Sequence, residues 1–481
     1  MLKLTVLGGA AVLLPIAPSL STFLGKQAPA SPNVAQFEVP LAIPATIEPV
    51  RSEATTDVFE LTQRLARVEI LPGLTTTIWG YIGIFPGPTF RVRSGRQVVV
   101  RQTNLLPDPV VVHQHGGLTP ADSDGYPTDV ILPGATRNYT YPNNRPASTM
   151  WYHDHAMDTT GYHTYMGLAG FYIYGDDLDD RLPLPKGECD VPPLLADRTF
   201  ASDGSLVFDP LGTIGVVGAD VMLVNGRPWP RFEVANRAYR FRFLNASNTS
   251  SFDLALSSGQ PLVQIAADGG LLPAPVSLPV LPLAMAERAD VVIDFSAYPL
   301  GSQVVLENRQ LTGRMGQVMR FDVTRSETDD SAVPSTLRAL DPLPEASAVR
   351  TRDWVFGPRA DSNAMPPVEW VINGNEFDPD RIDARPSLGD VEIWRITNQA
   401  VFGLAGMDHP VHIHLVTFRI LDVDGQPPPP HLGGWKDTVL IPKGHQARLI
   451  MRFTDFRGKY IMHCHNLEHE DTAMMTNFEV V

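Results

Sequence analysis

Near its C-terminus the chain reads Met462-His463-Cys464-His465-Asn466-Leu467-Glu468-His469, with Met474 shortly beyond. In an extended strand successive side chains point to opposite faces, so His463 and His465 look one way and Cys464 the other. One strand can therefore serve two separate groups of ligating side chains. No other stretch restricts the fold as strongly, because strands from elsewhere in the chain must supply the partners of both faces.

A thiolate, imidazoles and a weak thioether make the ligand set of a blue copper electron-transfer site. Cys464, His469 and Met474 provide three members and need one more histidine. Of the 13 histidines, ten fall into four clusters: His113-Gln114-His115, His153-Asp154-His155, His409-Pro410-Val411-His412-Ile413-His414, and the stretch with His463, His465 and His469. His163, His431 and His445 lie outside and read as surface or supporting residues. Strand periodicity puts His113 with His115, His153 with His155, and His412 with His414 on shared faces. His409 stands three residues before His412 and faces the other way, which makes it the missing imidazole for Cys464. Eight histidines remain, four from the N-terminal part and four from the C-terminal part. Eight imidazoles suit several copper ions held between domains.

A chain of 481 residues suits roughly three domains of about 150 residues. Gly95 and Asn104 enclose a strand, Asn236 and Asn245 enclose another at the same offset, and so do Gly389 and Asn398. Turns at Pro86-Gly87, Asn225-Gly226 and Asn373-Gly374 precede the three copies, which predict three homologous β-domains. Where the first copy has His113 and His115, the middle copy has Leu254 and Leu256. The middle domain is thus expected to keep the fold, lack ligands and space the outer two. The expected division is 31–180, 181–330 and 345–481, with a Pro-dotted linker before the last. Forty-four prolines, well above an average share of about 5%, favour strands and turns over helices.

The net charge of −15 argues against nucleic acid or an anionic membrane as partner. Cys189 and Cys464 are the only cysteines, so no disulfide forms if Cys464 binds metal. Residues 1–30 place Lys3 before an apolar run and end at Ala28-Pro29-Ala30, the pattern of an export signal. Met1-Leu2-Lys3-Leu4 also resembles the end of a twin-arginine signal. The expected location is outside the cytoplasm, as an exported protein.

Taken together, the four clusters resemble those of the multicopper oxidases, the family containing laccases and bilirubin oxidases. The likeness to bacterial spore-coat laccases and to bilirubin or phenoxazinone-type oxidases rests on His115-Gly116-Gly117-Leu118-Thr119-Pro120, Asp122-Ser123-Asp124-Gly125-Tyr126-Pro127, Gly434-Trp435-Lys436-Asp437-Thr438 and Leu467-Glu468-His469-Glu470-Asp471. The resemblance implies an all-β fold of three cupredoxin-like Greek-key β-barrel domains and four copper ions. His409, Cys464, His469 and axial Met474 match the type 1 ion, and His113 and His412 the type 2 ion. His115, His153, His155, His414, His463 and His465 match the type 3 pair. It further implies that Asp124 and Glu470 assist proton delivery to dioxygen, since four electrons reaching dioxygen require four protons.

The implied reaction is one-electron oxidation of a phenol, aromatic amine or tetrapyrrole coupled to reduction of dioxygen to water. Electrons are expected to enter at an exposed edge of His409 or His469 and pass from Cys464 to His463 and His465. A small aromatic reductant, dioxygen, no membrane and a monomer are the expected partners and state. The alternatives are a cuprous or ferrous ion oxidase, against which the scattered methionines speak, and a copper store or electron-transfer module, which leaves eight histidines unused. Trp435 could line the substrate approach or serve as a packing anchor, and Trp151 reads as core.

Overall fold

The computed structural model describes residues 30–208, 219–360, 368–400 and 407–481. The export segment expected over 1–30 lies outside them, apart from its last residue. Among the described residues no helix is long and apolar enough to cross a membrane.

The expected all-β class holds: the described residues form six sheets that face one another in three pairs. The first pair closes on Phe59, Tyr81, Phe90, Val100 and Tyr172. The middle pair closes on Leu223, Phe241, Phe243, Leu254 and Phe321, and the last on Trp394, Ile413, Leu449, Met462 and Phe478. Leu254 and Leu256, at the positions where the first copy has histidines, are buried in the middle core.

The repeated asparagine offset marks a structural corner. Strands Gln97–Asn104, Ala238–Asn245 and Val391–Asn398 each end on the asparagine. Each pairs in parallel with an earlier strand and antiparallel with a later one. At such an exit, carbonyl oxygens leave the sheet ladder while still buried and need donors. The carboxamide of Asn104 supplies two, to Asp108 O and Ile131 O at 2.8 Å. Asn245 does the same for Ser250 O and Leu283 O, and Asn398 for Met407 O and Ile441 O.

Alternation along Tyr239-Arg240-Phe241-Arg242-Phe243 puts the aromatic rings in the middle core, yet the arginine face is buried too. Arg240 and Arg242 converge on Asp290 at 2.6 and 3.0 Å. Asp290 also accepts the Thr149 hydroxyl at 2.7 Å, from a strand of the first sheets. Buried charges persist when paired and hydrogen-bonded, so this face is a polar joint between the middle and first sheets. Strands Val112–His115 and Ser148–Asp154 sit side by side in the first region, with His113 opposite His153. In the last region His412 stands opposite His463, and Val411 opposite Cys464.

Candidate metal centre

The two faces of the strand Gly458–Cys464 are used as alternation requires. On one side the Cys464 sulfur lies 3.3 Å from His409 Nδ1 and 3.6 Å from His469 Nδ1, and those two nitrogens are 3.3 Å apart. His469 reaches this point because the chain turns back in the short helix Leu467–Asp471, capped by the Asn466 side chain. Cys464 N donates to Met474 O, which brings Met474 into the same buried cluster as Cys464. Three donor atoms in so small a triangle can bind one soft cation. Burial pushes the Cys464 thiol well up. Binding a cation as thiolate offsets that cost, because the metal takes the place of the proton.

On the other side the eight remaining histidines gather into one buried group. Four donor sets of it bring ligand atoms close together: His113, His412 and His414; His113, His115 and His153; His155, His414 and His463; and His115, His412 and Asp437. Hydrogen bonding fixes two tautomers. His113 Nδ1 donates to Asp124 O at 2.6 Å and His412 Nδ1 to Asp437 O at 2.8 Å, and carbonyl oxygens only accept. Both rings then carry lone pairs on Nε2, and these two atoms face each other at 3.4 Å. Burial holds both histidines well below the usual range, so protonation is opposed. Two opposed lone pairs repel unless a cation lies between them, and outer hydrogen bonds of this kind are what orient metal-ligating histidines. His463 Nε2 similarly stands 3.3 Å from His155 Nε2 and 3.2 Å from His414 Nε2.

Both candidate carboxylates are buried against this group. Asp124 Oδ2 is 2.8 Å from His414 Nδ1, and burial raises its carboxyl to about 8, partly opposed by the Thr119 hydroxyl. Glu470 lies 3.3 Å from His155 Nδ1 and 3.0 Å from His463 Nδ1. Burial opposes its charge, but these two imidazoles outweigh it and hold the carboxyl low.

One expectation is corrected. His409 and His469 present no exposed edge, for both rings are fully buried. Trp370 stacks on His469 with ring centres 4.0 Å apart and meets His409 edge-on at 5.4 Å. Trp435 is a packing anchor: its carbonyl accepts from Gly269 N, and it packs with Leu343, Val391 and Ile393. Trp151 is core and stacks on His153 at 4.3 Å. Trp370, Asp437 and Arg288 went unread as site residues, because nothing local in the sequence marks which distant side chains meet. His163 is buried, with Nδ1 2.8 Å from Asp154 Oδ1.

Gly125 lets the loop bearing Asp124 approach the histidine strand. Its φ is +83°, and a Cβ would sit 2.4 Å from Val112 O and 2.8 Å from His113 Cα. Gly125→Ala is therefore expected to destabilise the protein by about 1–3 kcal/mol through backbone strain, and by more through the clash. A lower thermal midpoint together with reduced copper content checks this; wild-type values for both would contradict it.

Two family models, each described as multicopper oxidase, match the chain, one over residues 64–178 and the other over residues 357–481. A laccase of Bacillus stratosphericus is 35% identical, with 93% of this chain and all of the relative covered. A bilirubin oxidase of Albifimbria verrucaria is 36% identical over 96% of this chain and 84% of its own. Among solved structures, a laccase from Pediococcus acidilactici superposes with a TM-score of 0.85 at 31% identity, covering 94% of this chain and 95% of that one.

Proposed function

The chain belongs to the multicopper oxidase family, built of cupredoxin-like domains, and is a copper-dependent oxidase using dioxygen and a reductant, and on that premise we propose how its residues divide the chemistry. It carries four copper ions in three domains spanning 31–180, 181–330 and 345–481. His409, Cys464, His469 and Met474 would hold the type 1 ion. His113 and His412 hold the type 2 ion, and His115, His153, His155, His414, His463 and His465 the type 3 pair. The observation that carries this assignment is the pair of fixed, opposed lone pairs on His113 and His412.

When bound, copper supplies one-electron exchange with the reductant and four-electron exchange with dioxygen. The chain supplies the rest. Cys464 links the two ligand groups through single peptide bonds to His463 and His465, the shortest covalent path between them. Trp370 covers His469, so the reductant's electron crosses an aromatic layer rather than passing at a bare imidazole edge. Asp124 and Glu470, each against ligand histidines, hold and hand on protons at Asp124 Oδ2 and the Glu470 oxygens. The buried histidine group excludes bulk water, which keeps the opposed nitrogens free for metal.

The reductant is a small aromatic molecule, a phenol, aromatic amine or tetrapyrrole, as the names of the laccase and bilirubin oxidase relatives suggest. The protein acts as an exported monomer. Copper-loaded protein is expected to show intense blue absorption and to take up oxygen with a phenol, while cuprous ion alone supports little uptake. Uptake with cuprous ion and none with any phenol, aromatic amine or bilirubin would overturn the substrate reading.

A further inference from the structure

Arg288 begins the strand Arg288–Asp294 of the middle sheets, yet its guanidinium is completely buried where all three sheet pairs meet. It grips Asp437 at two points, Nη1 to Oδ1 at 2.8 Å and Nη2 to Oδ2 at 2.5 Å. The guanidinium is itself fixed, Nε donating to Thr149 O at 3.0 Å and Nη1 to Ala286 O at 2.8 Å. Asp437 in turn touches two rings of the histidine group. Its Oδ1 lies 3.2 Å from His115 Nε2, and its carbonyl accepts from His412 Nδ1.

His115 is turned the opposite way from its neighbours. The rings of His113, His153, His412 and His463 bond through Nδ1 to carbonyl oxygens and leave Nε2 free. His115 instead points Nε2 at Asp437 and at the Thr438 hydroxyl, 3.1 Å away, and its Nδ1 is buried without a partner. A carboxylate that rotated freely could not enforce this reversal. One held at both oxygens by a planar guanidinium can, because the fork fixes the plane as well as the position.

Resting on the ligand assignment proposed above, we infer that Arg288 is a positioning residue: by clamping Asp437 it makes His115 offer Nδ1, and His412 offer Nε2, to the copper cluster. The middle domain, without a ligand of its own, thus sets the geometry of a cluster built by the other two. Behind this clamp, Asp268 accepts from Arg288 N at 2.8 Å and lies 2.9 Å from Lys436 Nζ, which also pairs with Glu287 at 3.1 Å. Asp268 also lies 3.7 Å from Arg288 Nη1 and accepts from the backbone N of Asp437 and of Thr438 at 3.4 Å, so it braces the clamp from behind, with Lys436 and Glu287 one step further out.

The test is a chelator titration of the copper-loaded enzyme, following metal content by mass spectrometry and the blue absorption in parallel. Removing an outer hydrogen-bond partner of a metal ligand typically costs 10–100-fold in metal affinity. Arg288→Met is expected to release the copper outside the blue site at a chelator concentration at least about tenfold lower, with the blue absorption retained. Asp437→Asn should do the same, and the double variant should go no further than Asp437→Asn alone. Arg288→Lys, which keeps the charge and loses the fork, should fall between wild type and Arg288→Met, and it carries the test if the methionine variant does not fold. Lys436→Met is the structural control, expected to lower the thermal midpoint without selective copper loss. A wild-type release profile in both Arg288 variants, or equal shifts in Arg288→Met and Lys436→Met, would overturn the inference. Failure of the ligand assignment itself shows separately, as wild-type protein holding no copper beyond the blue site.

Discussion

Cys464→Ser is expected to abolish the blue absorption and to lower turnover by more than the 10–100-fold that loss of an outer partner costs, since on the proposed assignment it removes a ligand itself. Cys464 Sγ forms a triangle with His409 and His469 Nδ1 whose sides are 3.3 to 3.6 Å. A serine hydroxyl is a hard and weakly acidic donor, and a site of two imidazoles and a hydroxyl neither selects a soft ion nor gives a thiolate its colour. The substitution also cuts the one side chain joined by single peptide links to His463 and His465. Burying a hydroxyl without a partner costs about 1–3 kcal/mol, so the variant should still fold. Circular dichroism and thermal melting establish the fold, and metal analysis should find about one copper fewer than in wild type. Cys189→Ser is the control, a buried thiol in the middle core that should leave colour and turnover intact. A colourless Cys464→Ser variant that kept half its oxidase activity would refute the electron path through this residue.

Glu470→Gln is expected to have the second largest effect, a fall in kcat of roughly 10²-fold or more, the range for losing a positioned proton-transfer group. Glutamine preserves the shape between His155 and His463 and removes the capacity to carry a proton on either oxygen. The discriminating measurement separates the two halves of the reaction. Mixed anaerobically with a phenol, the variant should lose its blue colour as fast as wild type, because reduction at Cys464 does not involve Glu470. Under oxygen its turnover should slow, with a larger solvent deuterium effect than wild type. Slow anaerobic bleaching with normal reoxidation would assign Glu470 to electron entry and contradict the proton role.

Strand alternation was sufficient to sort these side chains into the two groups the structure shows. It separated Cys464 from His463 and identified His409 as its partner, because a strand has only two faces and each ligand must choose one. The asparagine spacing revealed the threefold repeat, since the same corner chemistry recurs at Asn104, Asn245 and Asn398. What stayed hidden depended on contacts between strands far apart in sequence. Alternation along Tyr239 to Phe243 announces two faces but not that the arginine face is buried against the first sheets. Nothing near Arg288 foretells Asp437, and nothing near Trp370 foretells His469. For the same reason the middle domain read as a spacer, although its charges reach the histidine group, and His469 read as exposed.

The histidines of the buried group lie within residues 113–155 and 412–465, in strands or just beyond their ends, and the last of them, His465, emerges late in synthesis. No partial chain can hold the cluster. On the proposed assignment the eight imidazoles meet only after both regions have been made and docked, so copper capture is expected to follow folding rather than cause it.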